Sequence, residues 1–408
     1  MRILQINKFM DPLTPAAGGP ATFMSLTARR LGEAGCEMLR FGCRMGAEPR
    51  QWPPYVDYTS LPSAWEKLRG AARICHSFPA AEALDRFLTG RRVDVAHIHN
   101  IYHHLTPSIL PVLRRRGIPI VMSVRDYRLL CPARSFLRGG RVCTECHPHR
   151  YFNCLRHGCG GSLAASAALA AETFVQRFFR RYIRNVALFL CPSRFLADKL
   201  LEDGYPAGKV RVLRNPIVPP DVSAAPQRSD LLLCVGRLSE EKGLDLVLEA
   251  ASARPGVRVR LVGDGPQRHW LQAEASRRGL ANVEFTGYVP HERIDRHYAE
   301  ATAVVLASRC FENSPHSLLE GMAAGRCVVA PGHGPIGEWV TDGETGRTFR
   351  PGDAADLTRV TDEVLADPAV RDRMGRAGAA LVRRRHEPGA IVEQLLAVYR
   401  EVSRCAPQ

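Results

Sequence analysis

Two short apolar runs, Ala303–Ala307 (AVVLA) and Cys327–Ala330 (CVVA), bracket the segment Phe311–Gly325, FENSPHSLLEGMAAG. Each run is bounded and β-branched, which reads as a parallel strand buried on both faces. The residues between them read as a helix. Ser314 is placed to cap its N-terminus, Pro315 suits the first helical position, and Gly325 ends it as a C-cap. Glu312 then falls on the loop at the carboxyl end of a strand, and Glu320 about two turns into the helix. In an open α/β sheet that edge is where ligands bind, and the free N–H groups of Ser314–Leu318 offer an anion site.

The same alternation recurs along the chain. With 408 residues, the sequence is too long for one ordinary core and fits two domains. Strands are predicted at Arg2–Ile6, Val93–Ile98, Ile118–Val124 and Ala187–Cys191, then at Leu231–Val235, Val257–Val262 and Val283–Thr286. Such alternation with helices predicts parallel sheets covered by helices. The proline-ended segment Val210–Pro220 reads as the linker between the domains. His386–Ser403 reads as an amphipathic helix.

A second chemical constellation is GRLSEEKG, Gly236–Gly243, which follows the strand Leu231–Val235. It sets Arg237 and Lys242 around a helix start, a bidentate fork beside a point charge, which suits a diphosphate. The chain holds only 5 lysines against 51 arginines, and Lys242 is the last of them. Competing with this reading is a surface ion pair of Arg237 or Lys242 with Glu240 or Glu241.

These segments, with LVGDGP (Leu261–Pro266) and FTGYVPHERIDRHYAEATAVVLAS (Phe285–Ser308), resemble the donor half of a retaining glycosyltransferase of family 4. The N-terminal half is similar too, through Gly18–Gly19–Pro20 after the strand RILQI, DVAHIHN at Asp94–Asn100, and CPSRFLADKL at Cys191–Leu200. The resemblance implies an α/β GT-B fold, two Rossmann-like domains facing across a cleft, with a C-terminal helix crossing back to the first. It implies an acceptor-binding domain over 1–216, a nucleotide-sugar domain over 217–385 and the returning helix over 386–408. Arg237 and Lys242 would neutralise the leaving diphosphate, Glu312 would contact sugar hydroxyls, and Glu320 the ribose. Gly19, Gly263, Gly265, Val289, Ser317 and Leu318 would line the donor, a UDP- or GDP-sugar. His99 and Asp126 are the acceptor-side candidates. Many relatives have His-Asp where this chain has Arg125-Asp126; either Arg125 takes over an electrostatic role, or His99 or His103 contributes, or activity is weak. No metal is expected to be needed for catalysis. A catalytically silent sugar-binding protein and a synthase with a soluble acceptor remain as alternatives.

Charge is one-sided. Residues 1–214 carry 32 Lys+Arg and 15 Asp+Glu, a balance of +17, and the remainder carry 24 and 26, a balance of −2. A basic first half suits an anionic membrane surface or a diphosphate-linked acceptor, with a compositional drift toward arginine as the competing reading. Together with the family resemblance it implies a lipid-linked glycan acceptor in capsule, exopolysaccharide or lipopolysaccharide synthesis. No aromatic-interleaved basic tract marks a nucleic-acid partner. A cytoplasmic enzyme peripheral to the inner membrane face is the expectation, because the chain shows neither a long apolar span nor a leader pattern. In ETFVQRFFRRYIRN, Glu172–Asn185, the aromatic residues form one side and the arginines another. The ordinary reading turns the aromatic side toward the core; an interfacial helix has the same pattern. Among 13 cysteines, Cys131, Cys143, Cys146 and Cys159 have a spacing that invites a structural zinc, with Cys154, His147, His149 and His157 as replacement ligands. Unligated thiols are the competing reading.

Overall fold

The computed structural model describes residues 1–9, 18–44, 52–53, 70, 72–222 and 230–405. The chain divides into two compact units, one of residues 1–135, 144–215 and 389–408, the other of 136–143 and 216–388.

The first unit is built on a six-stranded parallel sheet of order β2-β1-β3-β4-β7-β8. Its strands are β1 (Arg2–Ile6), β2 (Glu37–Phe41), β3 (Val95–Ile98), β4 (Ile120–Ser123), β7 (Leu188–Cys191) and β8 (Val210–Val212). β3, β4 and β7 are buried at every position, which is why they read as unbroken apolar runs rather than alternating ones. The helix Pro388–Arg404 belongs to this core: Ile391, Leu395, Tyr399 and Val402 pack with Ile3, Val95, Val121 and Leu188. The Tyr399 hydroxyl lies 2.6 Å from His97 Nδ1. The segment expected to be linker from Val210 onward instead starts as a strand, because Val210–Val212 pairs with Phe189–Cys191 before the first proline, Pro216, is reached.

The second unit has the parallel order β11-β10-β9-β12-β13-β14. Its strands are β9 (Leu231–Val235), β10 (Arg258–Val262), β11 (Val283–Gly287), β12 (Ala303–Val305), β13 (Cys327–Pro331) and β14 (Arg347–Phe349). Relative to its own first strand the order is 3-2-1-4-5-6, the doubly wound Rossmann arrangement. The chain direction reverses across the sheet between β9 and β12, which are paired. Residues 136–143, expected within the first domain, form a small hairpin, β5 (Leu137–Arg138) and β6 (Arg141–Val142), that packs in the second unit. Phe136 anchors it, fully buried with its ring 6.2 Å from that of Phe311.

Candidate active site

The carboxyl ends of β9 and β12 flank the point where the strand order reverses, and two sequence-predicted groups meet there. Lys242 Nζ lies 2.6 Å from Glu312 Oε1. Ser308 Oγ also donates to Glu312 Oε1. The pair is largely withdrawn from water, with side chains 27% and 11% exposed. Burial alone would favour the neutral carboxylic acid, yet the Lys242 ammonium and the Ser308 hydroxyl hold Glu312 below the ordinary carboxylate range. Burial likewise opposes the ammonium, and the Glu312 carboxylate keeps Lys242 above the ordinary lysine value. The surface pairing with Glu240 or Glu241 gives way to this longer-range one. Arg237, five residues before Lys242, stands exposed, with no ion-pair partner among the described residues.

Backbone geometry fixes this pair. Gly243 has φ +62°, and a Cβ there would sit 2.2 Å from the Ala307 carbonyl oxygen, so only glycine lets the Lys242 loop approach the end of β12. Arg309 N–H donates to the Glu241 carbonyl at 2.9 Å and ties the two loops together. The GDG loop is held in the same way. A Cβ on Gly263 would meet Gly236 O at 1.9 Å, and one on Gly265 would meet Leu238 O at 2.3 Å. These two glycines thus serve loop-on-loop packing and bring Gly236–Leu238 against Gly263–Gly265 at the strand ends.

The helix after β12 spans His316–Ala323, one residue later than expected. Pro315 is the N-cap, no side chain caps it, and Ser314 Oγ is buried with no hydrogen-bond partner among the described residues. Leu319 N–H is the first to find an intrahelical carbonyl, that of Pro315. A helix start leaves its first N–H groups without intrahelical partners, here those of Ser317 and Leu318. Gly325, at φ +70°, ends the helix as anticipated. Glu320 lies on this helix and accepts a 2.7 Å hydrogen bond from the Tyr298 hydroxyl. Burial raises its carboxyl, and the Tyr298 bond offsets part of that rise. Val289 packs partly buried against the apolar core, while its neighbour Tyr288 is 69% exposed. Sequence reading missed Ser308, Tyr298 and His333, whose Nε2 lies 3.2 Å from the Ser308 carbonyl oxygen. Ser308 precedes Glu312 by four residues and was within reach of inspection; Tyr298 and His333 reach the site only through the fold.

In the first unit the corresponding reversal lies between β1 and β3. Lys8 N–H donates to the Asn100 carbonyl at 2.8 Å, and Asn100 N–H to Asn7 Oδ1 at 3.1 Å. His99 follows β3 there, 1% exposed, and neither ring nitrogen has a hydrogen-bond partner among the described residues. Burial, with His97 and Arg125 nearby, holds it neutral, well below the ordinary histidine value. Asp126 follows β4; burial raises its carboxyl against the hydrogen bond from Arg128 N–H and the charges of Arg134, Arg128 and Lys8. Arg125 is engaged inside the unit: its guanidinium lies 3.7 Å from the Phe23 ring centroid and bonds Asn215 and Ser123. His103 is taken up by Arg128, at 2.5 Å, and Glu172. Gly19 lies in the first turn of the helix Gly18–Glu33, not in a loop, and so among the N–H groups that a helix start leaves free.

The expected zinc centre is not assembled. Among the described residues no group of three or more His, Cys, Asp or Glu is arranged to hold a metal ion. Cys143 follows the hairpin of the second unit, whereas Cys131, Cys146 and Cys159 belong to the first. Cys146 and Cys154 pack with Tyr151 in a small apolar cluster, with Cys159 against it. Burial pushes the Cys154 thiol up to about 12, which keeps it protonated. The histidines have other partners: His147 the Lys199 carbonyl at 3.1 Å, His149 the Asp203 carboxylate at 3.3 Å, His157 the Glu145 carboxylate at 2.6 Å.

Comparison with known proteins decides the family. The glycosyl transferases group 1 model matches residues 220–380, and the glycosyl transferase 4-like domain matches residues 18–216. The chain is 30% identical to a 2-deoxystreptamine N-acetyl-D-glucosaminyltransferase of Streptomyces fradiae, over 94% of this chain and 95% of that protein. The chain belongs to the group 1, family 4 glycosyltransferases. Other similarities of this glycosyltransferase cover less. It is 33% identical to an alpha-D-kanosaminyltransferase of Streptomyces kanamyceticus over 42% of this chain and 46% of that protein. It is 29% identical to the lipopolysaccharide core biosynthesis glycosyltransferase LpsE of Rhizobium meliloti over 48% and 59%. The chain thus matches about half the length of each of these two relatives. Among solved structures, the glycosyltransferase resembles a sucrose-phosphate synthase of Thermosynechococcus elongatus, TM-score 0.76 at 19% identity over 99% of both chains. It also resembles Anabaena HepE in complex with UDP, TM-score 0.69 at 18% identity over 98% of this chain and 100% of that one. These two likenesses show the fold, GT-B.

Proposed function

We propose that this glycosyltransferase moves a sugar, with retention of anomeric configuration, from a nucleoside-diphosphate sugar to the hydroxyl of a lipid-linked glycan. The observation that carries the donor half is the Lys242–Glu312 contact at the strand-order reversal of the second unit, with exposed Arg237 five residues before Lys242 in the same loop. Breaking the bond between the anomeric carbon and the diphosphate leaves negative charge on the diphosphate. Arg237, Lys242 and the helix-start N–H groups of Ser317 and Leu318 are the donors that stabilise it. Two fixed cations serve where a divalent ion would otherwise neutralise the leaving group. Glu312, kept ionised by Lys242, is suited to accept hydrogen bonds from sugar hydroxyls, and Glu320, oriented by Tyr298, to accept them from the ribose. UDP in the complex with HepE supports a uridine donor for the fold, and the Rhizobium relative a glycolipid acceptor. His99 and Asp126, at strand ends of the first unit, are assigned to the acceptor side, and the protein to the inner face of a membrane.

Thermal-shift binding of UDP, GDP and their sugars tests the donor assignment. A nucleotide-specific rise in Tm that is lost in Arg237→Ala/Lys242→Ala supports it; no shift with any nucleotide removes it.

A further inference from the structure

The helix Leu163–Phe178 does not turn its aromatic side inward. Glu172, Thr173 and Gln176 are its buried residues near the C-terminus, while Phe174 and Phe178 are 56% and 67% exposed. Ala164, Ala167, Ala171, Phe174 and Phe178 are all exposed, and their spacing of three and four residues makes them one outward stripe. At the C-terminal end the stripe continues through exposed Phe179. The rings of Phe174 and Phe178 stack with centroids 5.7 Å apart, and Phe178 meets Phe179 edge-on at 5.2 Å. The Arg181 guanidinium lies 5.6 Å from the Phe179 ring centroid and donates toward His76 Nδ1 at 3.3 Å. His76 in turn stands 4.4 Å from the ring of Phe78, which is 76% exposed. Four exposed phenylalanines are thereby linked into one surface, flanked by Arg180, Arg181 and Arg184.

Charge says what covers it. Between Gly160 and Asn185 the only carboxylate is Glu172, buried against Arg128. The outward face of this stretch therefore carries apolar side chains and cations with no anion among its described residues, and on the helix that Phe78 opens the exposed Glu82 is paired with Arg86 at 3.7 Å. A protein partner of ordinary composition is not selected by that pattern, whereas an anionic bilayer is: phenyl rings insert at the acyl boundary while arginines remain at the phosphates. We propose that this face, Phe174, Phe178, Phe179 and Phe78 with Arg180, Arg181 and Arg184, docks on an anionic lipid surface. No helix among the described residues is long and apolar enough to cross a membrane, so the contact is in-plane. This deepens the lipid-linked acceptor reading given above, and it is testable by binding alone.

The test is co-sedimentation of the full chain with vesicles of phosphatidylcholine, and of phosphatidylcholine mixed with phosphatidylglycerol. The wild type is expected to sediment with the mixed vesicles and not with the neutral ones. Phe174→Ser/Phe178→Ser/Phe179→Ser and Arg180→Glu/Arg184→Glu should each lose at least about tenfold in apparent affinity. Unchanged circular dichroism and an unchanged nucleotide-induced thermal shift establish that the variants are folded and separate this result from the donor assignment. Wild-type protein that stays in the supernatant with anionic vesicles overturns the proposal. So does a triple Phe variant that sediments like wild type, or a wild-type dimer that the triple variant converts to monomer without any vesicle binding.

Discussion

At the residue scale the central fact is that Lys242 and Glu312 are worth more together than apart. Removing either leaves the other charge largely desolvated, so Lys242→Met and Glu312→Gln should each destabilise the protein by about 2–3 kcal/mol. The double variant should cost less than the sum, with a coupling of about 1–3 kcal/mol in denaturant titrations. The sign with pH follows from Glu312, whose carboxyl is held below its ordinary range. Its contribution is present above the ordinary carboxylate pKa and is lost as pH falls through the lowered folded value. An additive double variant would mean that the contact does not stabilise the fold. The pairing also bears on catalysis: a diphosphate arriving beside Lys242 competes with Glu312 for the same ammonium.

Elements matter here by how closely they can approach. Gly321, in the middle of His316–Ala323, has no room for a methyl group, since a Cβ would lie 2.7 Å from Val304 Cγ2 on β12. Gly321→Ala should therefore push the helix off the sheet at a cost of about 1–3 kcal/mol. Because the same helix carries the Ser317 and Leu318 N–H groups and Glu320, the nucleotide-induced thermal shift should shrink along with stability. A variant with lowered Tm but full nucleotide response would separate the helix from the donor site.

For the whole molecule, the pH dependence of stability has a second source in the first unit. Asp203 is fully buried, with Arg177 Nε 3.5 Å and His149 Nδ1 3.3 Å from its carboxylate oxygens, neither of which accepts a hydrogen bond among the described residues. Burial raises its carboxyl to about 7, and Arg177 offsets only part of the effect. A folded value above the unfolded one means that the contribution is fully present below about pH 4 and is lost as pH rises through about 7. Asp203→Asn should therefore gain Tm relative to wild type between pH 4 and pH 8, by up to about 4 kcal/mol in stability at the upper end. A Tm difference that does not change with pH would show that Asp203 titrates normally.

Much of this architecture was legible in the residues because strands and helices are written locally. The apolar run Leu231–Val235 is a strand over those same residues, and Gly325 ends its helix with the left-handed backbone that glycine permits. Arg237, Lys242 and Glu312 were placed after strand ends, and Glu320 on the helix that follows one, by the same local logic. The start of the His316 helix slipped by one residue, since a serine before a proline suggests a cap that the backbone does not use. The sequence by itself determined two parallel α/β sheets and which side chains stand at their carboxyl edges. Only the tertiary structure decided that Lys242 pairs with a carboxylate 70 residues away and that Tyr298 bonds Glu320. It also decided that the phenylalanines after Glu172 face outward. Periodicity defines two faces of a helix, but which face is covered depends on the neighbours it packs against, and those are set by contacts distant in the chain.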